Sequence, residues 1–273
     1  MTIDLNPKDP WSEIFIAELA EHGFDSFVTT QSGIKAYASA DLAVDSVLKR
    51  TVLSKVPEVE VRIKTEVIPY QNWNASWEAE FQPVFIDDVA SILAPFHDRA
   101  LGKGVVVEIQ PQMSFGTGHH ETTWMMIKAM ISLGEIPHNV LDMGTGTGVL
   151  AIFAKKLGAR SIIGIDIEEG SISNAIENAT RNDIENIEFI CGGIEAVPQR
   201  KFGLIIANIN KNILKEQLDT YSRVLEANGI LLLSGFFSSD VDDILEYASN
   251  FGLTKQKSYK KNEWAGIQLQ KSN

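Results

Sequence analysis

The stretch VLDMGTGTGVLAIFAKKLGA, residues 140–159, joins a short apolar run to a helical one through a glycine-rich turn. Asp142 closes the apolar run, and glycines follow at every second position as far as Gly148. Glycines at a strand-to-helix turn let the backbone approach a ligand closely, and the N-terminus of the next helix favours negatively charged groups. The stretch therefore predicts a strand, a ligand-binding turn, and a helix that ends at Gly158.

The spacing of these glycines separates two classes of nucleotide site. The dinucleotide fingerprint G-x-G-x-x-G would need a glycine at position 149, where the chain has Val149. The pattern present is D-x-G-x-G-x-G, which is typical of methyltransferases that use S-adenosylmethionine. A tight turn that binds no ligand is the alternative, and the motifs that follow weigh against it.

A second carboxylate closes the next apolar strand. Asp166 ends the run SIIGIDI, 22 residues after Gly144. In doubly wound nucleotide sites a carboxylate at this place accepts hydrogen bonds from the ribose hydroxyls. Asp166 could instead only cap the end of its strand, but the preceding glycine turn favours the binding role.

A third polar group follows the apolar strand in FGLIIANINKNIL, residues 202–214, where Asn208 ends the strand. Open α/β sheets bind their ligands at this edge. Methyltransferases that act on bases or on glutamine commonly have Asn-Pro-Pro-aromatic here, whereas this chain has Asn208-Ile209-Asn210. The missing prolines and aromatic residue argue against a flipped base as substrate. A plain turn asparagine is the alternative.

The segment QMSFGTGHHETTW, residues 112–124, could cradle a phosphate, hold a metal, or turn the chain into a helix. Adjacent histidines such as His119 and His120 point in different directions, and no second histidine follows at i+4 with a glutamate, as a zincin helix requires. We therefore predict no metal here. The interpretation we favour is a turn that closes over a cofactor bound at the Gly144 loop and leads into a helix, with Glu121 at the positive end of that helix.

The second part of the chain alternates apolar strands with helices. The runs VVVEIQ, NVLDMG, SIIGIDI, IEFICG, LIIANI and GILLLSGF are short, and several are separated by helical stretches. Near-continuous hydrophobic strands alternating with helices indicate a parallel sheet that is covered on both faces. We predict an α/β catalytic domain over residues 83–273, with a doubly wound, mostly parallel, seven-stranded Rossmann-like sheet and an antiparallel strand in its tail.

The first part of the chain has a different pattern. Residues 1–68 read as strand, helix, two strands, helix and strand, the order of a small ferredoxin-like α+β domain. Residues 69–82 then predict a partly helical linker, in which Trp73, Trp77 and Phe81 recur every four residues and share one face. We expect this stripe to pack on a domain rather than to touch substrate.

Composition and charge bound the class of function. The chain has 273 residues, 44% of them hydrophobic, and a formal net charge of −12. Such an acidic balance does not favour a nucleic-acid clamp, because phosphate affinity depends on Lys and Arg. It suits a basic partner, and the alternative is that the charge only keeps the protein in solution. No apolar run reaches the roughly 20 residues that span a bilayer, so we expect a cytoplasmic protein without a membrane partner. The single cysteine, Cys191, lies in an apolar run and is expected to be buried.

Together these motifs resemble one family. FGTGHHETT, followed by D-x-G-x-G-x-G, a strand-end Asp166 and ANI, is similar to the ribosomal protein methyltransferases that modify the eleventh large-subunit ribosomal protein. The Trp-rich linker and the small leading domain also match. The resemblance implies a class I enzyme that uses S-adenosylmethionine, releases S-adenosylhomocysteine, needs no metal, and trimethylates lysine ε-amines and the N-terminal amine of that basic protein.

The resemblance also implies a set of site residues. Asn208 is expected to serve both catalysis and cofactor binding, while His120 is a candidate general base whose alternative is a structural role in the loop. Carried over by position, its cofactor contacts fall at Thr123, Gly144, Asp166 and Asn208. The contacts we further expect from the glycine loop and from the turn before the helix are Phe115, Gly116, Thr117, Gly118, Asp142, Gly146 and Gly148. One departure concerns the usual D-P-G, which reads Gln110-Pro111-Gln112 in this chain, so we expect the local turn to differ from that of the family.

Other functions stay open at this point. A methyltransferase with a different substrate class would carry the same loop, although the acidic charge argues against nucleic acid. A non-catalytic module that binds the cofactor is a further alternative, which the intact loop, Asp166 and Asn208 make less favoured. Lys255, Lys257, Lys260 and Lys261 could touch ribosomal RNA incidentally, but a solvated strand face explains them better.

Overall fold

A computed structural model describes residues 1–52, 57–68, 73–112 and 114–272, without the side chains of residues 73–76. The chain divides into two compact units, Met1–Ser76 and Trp77–Asn273. The division falls inside the predicted linker, of which residues 69–72 lie outside the described part. The side chain of Trp73 is also outside it, so its place on the aromatic stripe stays a prediction.

The first unit is a four-stranded antiparallel sheet with two helices. Its elements are β1 (Thr2–Asn6), α1 (Trp11–Glu21), β2 (Phe24–Thr29), β3 (Gly33–Ala38), α2 (Val44–Leu48) and β4 (Glu60–Lys64). The strand order is β2-β3-β1-β4, which is the ferredoxin-like arrangement predicted from the element sequence. Ile3 and Ile34 from the central strands and Phe15 and Leu19 from α1 are fully buried, so this unit has a core of its own.

The second unit begins with a short helix and a small sheet. These elements are α3 (Trp73–Glu80), which starts before the division, β5 (Val84–Ile86), β6 (Ala90–Leu93) and β7 (Val105–Glu108). β7 pairs parallel with β6 in a separate three-stranded sheet. The expectation that VVVEIQ belongs to the large sheet is therefore wrong. Its apolar pattern fits any buried strand, and the pairing partner is set by tertiary structure.

The large sheet contains seven strands, and five helices accompany it. In chain order the elements are α4 (Glu121–Ile131), β8 (Asn139–Met143), α5 (Val149–Lys156), β9 (Ser161–Asp166), α6 (Glu169–Arg181), β10 (Ile187–Cys191), β11 (Phe202–Asn208), α7 (Lys211–Val224), β12 (Leu225–Phe237), α8 (Val241–Ser249), β13 (Leu253–Lys261) and β14 (Trp264–Lys271). The strand order is β10-β9-β8-β11-β12-β14-β13, and β14 runs antiparallel to both of its neighbours. This confirms the predicted doubly wound sheet.

Both faces of this sheet are buried, which explains the continuous apolar runs. In β8, Val140 belongs to the core on one face, together with Phe153 of α5, while Leu141 belongs to the core on the other. The second core also contains Leu214 and Leu218 of α7. From β8 the chain adds β9 and β10 on one side, and it then crosses over to place β11 on the other side of β8. Such a switch point opens a crevice at the carboxyl ends of the strands.

The edges of the sheet are polar or exposed. Cys191 is the last residue of edge strand β10 and is exposed, so the expectation of burial is wrong. On the opposite edge, β13 exposes Lys255, Lys257 and Lys260 as a solvated strand face. No helix within the described residues is long and apolar enough to cross a membrane.

Replacing Phe153 tests the core behind the glycine turn. Phe153 is fully buried in α5, and Phe153→Ala is expected to lower the free energy of unfolding by about 3–5 kcal/mol because it leaves a cavity. Phe85→Ala is the matched control, since that ring is 40% exposed, and it should cost about 1 kcal/mol or less. Urea denaturation of both variants measures the difference. Equal losses would contradict this account of the core.

Candidate functional site

The glycine turn after β8 is held by the end of the neighbouring strand β9. The backbone N–H groups of Gly144 and Thr145 both donate to the carbonyl of Ile165, at 2.8 and 3.0 Å. Gly146 has a φ of +54°, and a Cβ there would lie 2.2 Å from the carbonyl oxygen of Phe115. Both the left-handed backbone and the close approach require glycine.

Asp166 connects the turn to the end of β9. Its Oδ2 accepts from the N–H of Gly146 at 2.9 Å, and its Oδ1 accepts from the N–H of Glu168 at 3.1 Å. Two backbone bonds fix the carboxylate at the edge of the sheet. Each oxygen keeps a further lone pair for a ligand, since a carboxylate offers about four acceptor positions.

A cavity of about 590 Å³, called the larger cavity below, opens at this edge. Five of the residues predicted from the sequence line it: Phe115, Gly144, Gly146, Asp166 and Asn208. Sequence reasoning missed the rest of the lining, namely Ser114, Met143, Ile167, Glu168, Ser171, Gly192, Gly193, Ile209, Asn210, Ile213 and Gln217. Gly192 and Gly193 directly follow a predicted strand, and this position could have indicated that they belong to the site. Gln217 lies within a helix and carried none.

Asn208 lies where β11 ends, next to β8. Its Oδ1 is buried and has no hydrogen-bond partner in the structure. A buried unpaired amide oxygen costs free energy, so such a group in a cavity wall is suited to a ligand donor. Asn210 has a different role, because its side chain caps α7 by accepting from the N–H of Ile213 at 3.2 Å.

A second cavity of about 220 Å³, the smaller cavity, shares Phe115 and Asn208–Asn210 with the larger one. Its remaining lining is His120, Thr122, Gly235 and Trp264. The ring of Trp264 lies 4.6 Å from that of His120 and 4.5 Å from that of Phe237. Trp264 comes from the last strand and was missed, because nothing in its local sequence relates it to the glycine turn.

The loop from Ser114 to His120 is bonded to the glycine turn. The carbonyl of Phe115 accepts from the N–H of Thr147 at 2.9 Å, and that of Gly116 accepts from the Thr147 hydroxyl at 2.8 Å. The loop is thus joined to the glycine turn by hydrogen bonds, and its expected closure over a bound cofactor stays a prediction. Asn178 supports the preceding segment from α6 by accepting from the N–H of Gln110 at 2.8 Å.

The two adjacent histidines have separate partners. His120 Nδ1 accepts from the N–H of Thr122 at 3.3 Å and caps α4. His119 Nε2 lies 2.8 Å from the carbonyl oxygen of Gln82. Among the described residues, no three His, Cys, Asp or Glu side chains are grouped as a metal site would require.

Six of the predicted cofactor residues do not line the larger cavity: Gly116, Thr117, Gly118, Thr123, Asp142 and Gly148. Asp142 is fully buried and accepts from the Thr145 hydroxyl at 2.6 Å and from the N–H of Ala151 at 3.2 Å. Burial raises its pKa to about 7. Thr123 is also fully buried, and its hydroxyl has no partner in the structure. The binding roles of these six residues stay predictions.

Comparisons with known proteins agree on one family. The family model described as "Ribosomal protein L11 methyltransferase (PrmA)" matches residues 12–272. A relative named "Ribosomal protein L11 methyltransferase" from Porphyromonas gingivalis is 40% identical over 263 residues, which cover 94% of this chain and 90% of the relative. A protein of the same name from Bacteroides thetaiotaomicron is 35% identical, with 94% of this chain and 93% of the relative covered.

Solved structures agree with the fold. The crystal structure of a ribosomal protein L11 methylase from Lactobacillus delbrueckii subsp. bulgaricus has a TM-score of 0.66 and 26% identity, covering 71% of this chain and all of that one. A methyltransferase from Pyrococcus furiosus, with a TM-score of 0.53 and 16% identity, covers 61% of this chain and 90% of that one, and shows the same fold.

The buried carboxyl of Asp142 predicts a specific pH dependence of stability. Its raised pKa means that, between pH values of about 4 and 7, the folded protein keeps a proton that the unfolded chain releases. The free energy of unfolding should therefore fall as the pH rises through this window. In Asp142→Asn, which cannot titrate, urea denaturation at several pH values should give a flatter profile. Parallel profiles for the two proteins would contradict the burial argument.

Proposed function

The chain belongs to the ribosomal protein L11 methyltransferase family, and we propose that it transfers methyl groups from S-adenosylmethionine to lysine ε-amines and the N-terminal amine of the basic ribosomal protein L11. The observation that carries the proposal is that the larger and smaller cavities meet at Asn208. One cavity can hold the methyl donor and the other the accepting amine. The residues that line both cavities mark the place where the two reactants would meet.

The larger cavity fits the methyl donor. Asp166 is fixed at its edge with free lone pairs for ribose hydroxyls. Gly144 and Gly146 line the same cavity, so a ligand can meet their backbone without an intervening side chain. The unpaired oxygen of Asn208 can accept from an ammonium group. S-adenosylmethionine supplies an already activated methyl group, so we propose that no metal takes part.

In this proposal, most of the predicted residues that do not line the larger cavity maintain the backbone shape of the glycine turn or of the loop beside it. Asp142 ties the turn to α5 through Thr145 and Ala151. Gly148 begins α5 at a φ of +78°, and a Cβ there would lie 3.0 Å from that of Ala175. Gly116, Thr117 and Gly118 shape the loop from Ser114 to His120. Thr123 is kept as a candidate contact, because its buried hydroxyl has no partner.

The smaller cavity fits the accepting amine. An attacking amine must be neutral, and for a lysine of pKa about 10.4, deprotonation near pH 7.4 costs about 4 kcal/mol. The apolar side chains of Phe115, Trp264 and Ile209 line this cavity. An amine that they partly desolvate would have a lowered pKa, which offsets part of that cost. Holding the amine at the boundary of the two cavities then supplies alignment, which is the main requirement of such a transfer.

The structure supports a positioning role for His120 over that of a general base. The N–H of Thr122 can only donate, so Nδ1 of His120 is the unprotonated nitrogen, and in a neutral ring the hydrogen is on Nε2. A proton taken up at Nδ1 would break the cap of α4. We therefore propose that His120 fixes the wall of the smaller cavity through its contact with Trp264.

The net charge of −12 supports a basic protein as partner, because complementary potentials speed encounter. We propose that the enzyme acts in the cytoplasm on ribosomal protein L11, free or ribosome-bound, with residues 1–68 as a substrate-recognition domain, a linker over 69–82 and a catalytic domain over 83–273. Contact with ribosomal RNA would be incidental. A nucleic-acid substrate is disfavoured by the same charge and by the missing Asn-Pro-Pro-aromatic motif.

A transfer assay tests the function. The full chain is incubated with methyl-labelled S-adenosylmethionine and either purified ribosomal protein L11, ribosomal RNA or free lysine, and peptide mass spectrometry locates the methyl groups. Label on lysine and N-terminal amines of L11 is the expected result. Transfer to RNA or free lysine without transfer to L11 would refute the substrate, and cofactor binding without transfer to any acceptor would favour a non-catalytic module.

Removing the charge of Asp166 tests the cofactor site. Asp166→Asn is expected to weaken S-adenosylhomocysteine binding by about 10- to 100-fold, since hydrogen bonds to a charged group contribute about 1.5–3 kcal/mol. Calorimetry measures the dissociation constant. Glu188→Gln, at an exposed carboxylate on β10, is the control and should bind as wild type does. Unchanged affinity in Asp166→Asn would place the ribose elsewhere.

Replacing Trp264 tests the acceptor side separately. Trp264→Leu is expected to lower kcat/KM for L11 about tenfold, because an aromatic contact contributes up to about 1.5 kcal/mol beyond its buried area. It should leave S-adenosylhomocysteine affinity unchanged, because Trp264 does not line the larger cavity. Trp124→Leu is the matched control, since that ring lies outside both cavities. Loss of cofactor affinity with intact kcat would reverse the assignment of the two cavities.

A further inference from the structure

The segment Trp77–Gln82, where the chain enters the second unit, is held by two histidines through consecutive carbonyl groups. His97 Nε2 lies 2.6 Å from the carbonyl oxygen of Phe81, and His119 Nε2 lies 2.8 Å from that of Gln82. These two contacts are formed with the main chain, so they fix the path of the segment whatever its side chains are.

The hydrogen-bond network settles the direction of both bonds. His97 Nδ1 accepts from the N–H of Ala94 at 2.9 Å, which puts the hydrogen of the neutral ring on Nε2, where it donates to Phe81. His119 Nδ1 lies 3.3 Å from the hydroxyl of Thr117, which can donate to it, and a carbonyl can only accept from His119 Nε2. Both histidines therefore act as donors to the segment.

Aromatic packing adds to these bonds. The ring centroids of Phe81 and His119 are 4.5 Å apart, with the rings edge to face. Those of Phe81 and Trp77 are 5.1 Å apart, with the rings tilted. Phe96 lies 5.8 Å from both Trp77 and Phe81. Trp77 and Phe81 thus pack on the second unit, as expected for the aromatic stripe, and His119 is part of the surface that receives them.

His119 also belongs to the loop that borders the larger cavity. In the same loop Phe115 lines that cavity, and the carbonyls of Phe115 and Gly116 are bonded to Thr147 in the glycine turn. Three loop residues separate Phe115 in the cavity wall from His119, which contacts Gln82. His97, in contrast, lies outside the loop and contacts the segment from the turn after β6.

We infer that His119 is a positioning residue that couples cofactor binding in the larger cavity to the fixation of the Trp77–Gln82 segment. The inference rests on the proposed cofactor function of that cavity. A ligand that contacts Phe115 favours one arrangement of the loop, and in that arrangement His119 is presented to Gln82. Coupling between sites is reciprocal, so fixing the segment must also strengthen cofactor binding by the same factor. Residues 1–76 join the catalytic unit through this segment, so cofactor loading would be transmitted to the point where the first unit is attached.

Hydrogen exchange with and without S-adenosylhomocysteine tests the coupling in the full chain. In wild type the cofactor product should slow amide exchange about fivefold in a peptide covering residues 77–85, the low end of ordinary coupling energies. In His119→Ala this response should be lost, while the peptide covering the glycine turn, residues 140–150, is still protected. His119→Gln places an amide donor close to the position of Nε2 and should restore the response.

His97→Ala is the comparison variant. It removes a bond to the same segment without touching the loop, so it should speed exchange at residues 77–85 with and without ligand and keep the ligand response. Calorimetry should show that His119→Ala weakens S-adenosylhomocysteine binding about fivefold, as reciprocity requires. An equal ligand response in wild type and His119→Ala would overturn the coupling alone. Absence of S-adenosylhomocysteine binding to wild type would overturn the cofactor site and the coupling together.

Discussion

The backbone bonds between the end of β9 and the turn after β8 are the constraint on which the site depends. Ile165 accepts from Gly144 and Thr145, and the Asp166 carboxylate accepts from Gly146. These bonds exist because β8 and β9 pair in parallel and in register, so that the two strands end together. The same turn is bonded through Thr147 to the loop from Ser114 to His120. The larger cavity is lined by residues of the turn, of this loop and of the end of β9.

A second junction lies at the end of β11, between the two cavities. β11 lies beside β8 at the switch point of the sheet. Its last residue, Asn208, borders both cavities, as do Ile209 and Asn210, which follow the strand. Gly144 is close enough to this junction that a Cβ would lie 2.3 Å from the side chain of Ile209. The larger and smaller cavities are therefore separated by a single strand end, and under the proposed function this topology would place the methyl donor beside the accepting amine.

A feature could be predicted from the sequence when neighbouring residues in the chain determine it, and not when tertiary pairing determines it. The glycine turn, Asp166 and Asn208 could be predicted because each follows its own apolar strand, and parallel strands bring their carboxyl ends to one edge. Trp264 could not be predicted, since it comes from a strand that reaches the site only through antiparallel pairing at the end of the chain. The same limit explains the misplaced strand at residues 105–108, whose partner is not encoded locally, and Cys191, whose exposure comes from its position at the end of an edge strand.

The most direct test of the account is a crystal structure with S-adenosylhomocysteine and a lysine-containing peptide of ribosomal protein L11. We predict that the ribose hydroxyls contact Asp166 in the larger cavity, that the sulfur faces Asn208, and that the lysine amine enters the smaller cavity between Phe115 and Trp264. A nucleoside bound away from Asp166, or a lysine that reaches the sulfur from outside the smaller cavity, would contradict the account.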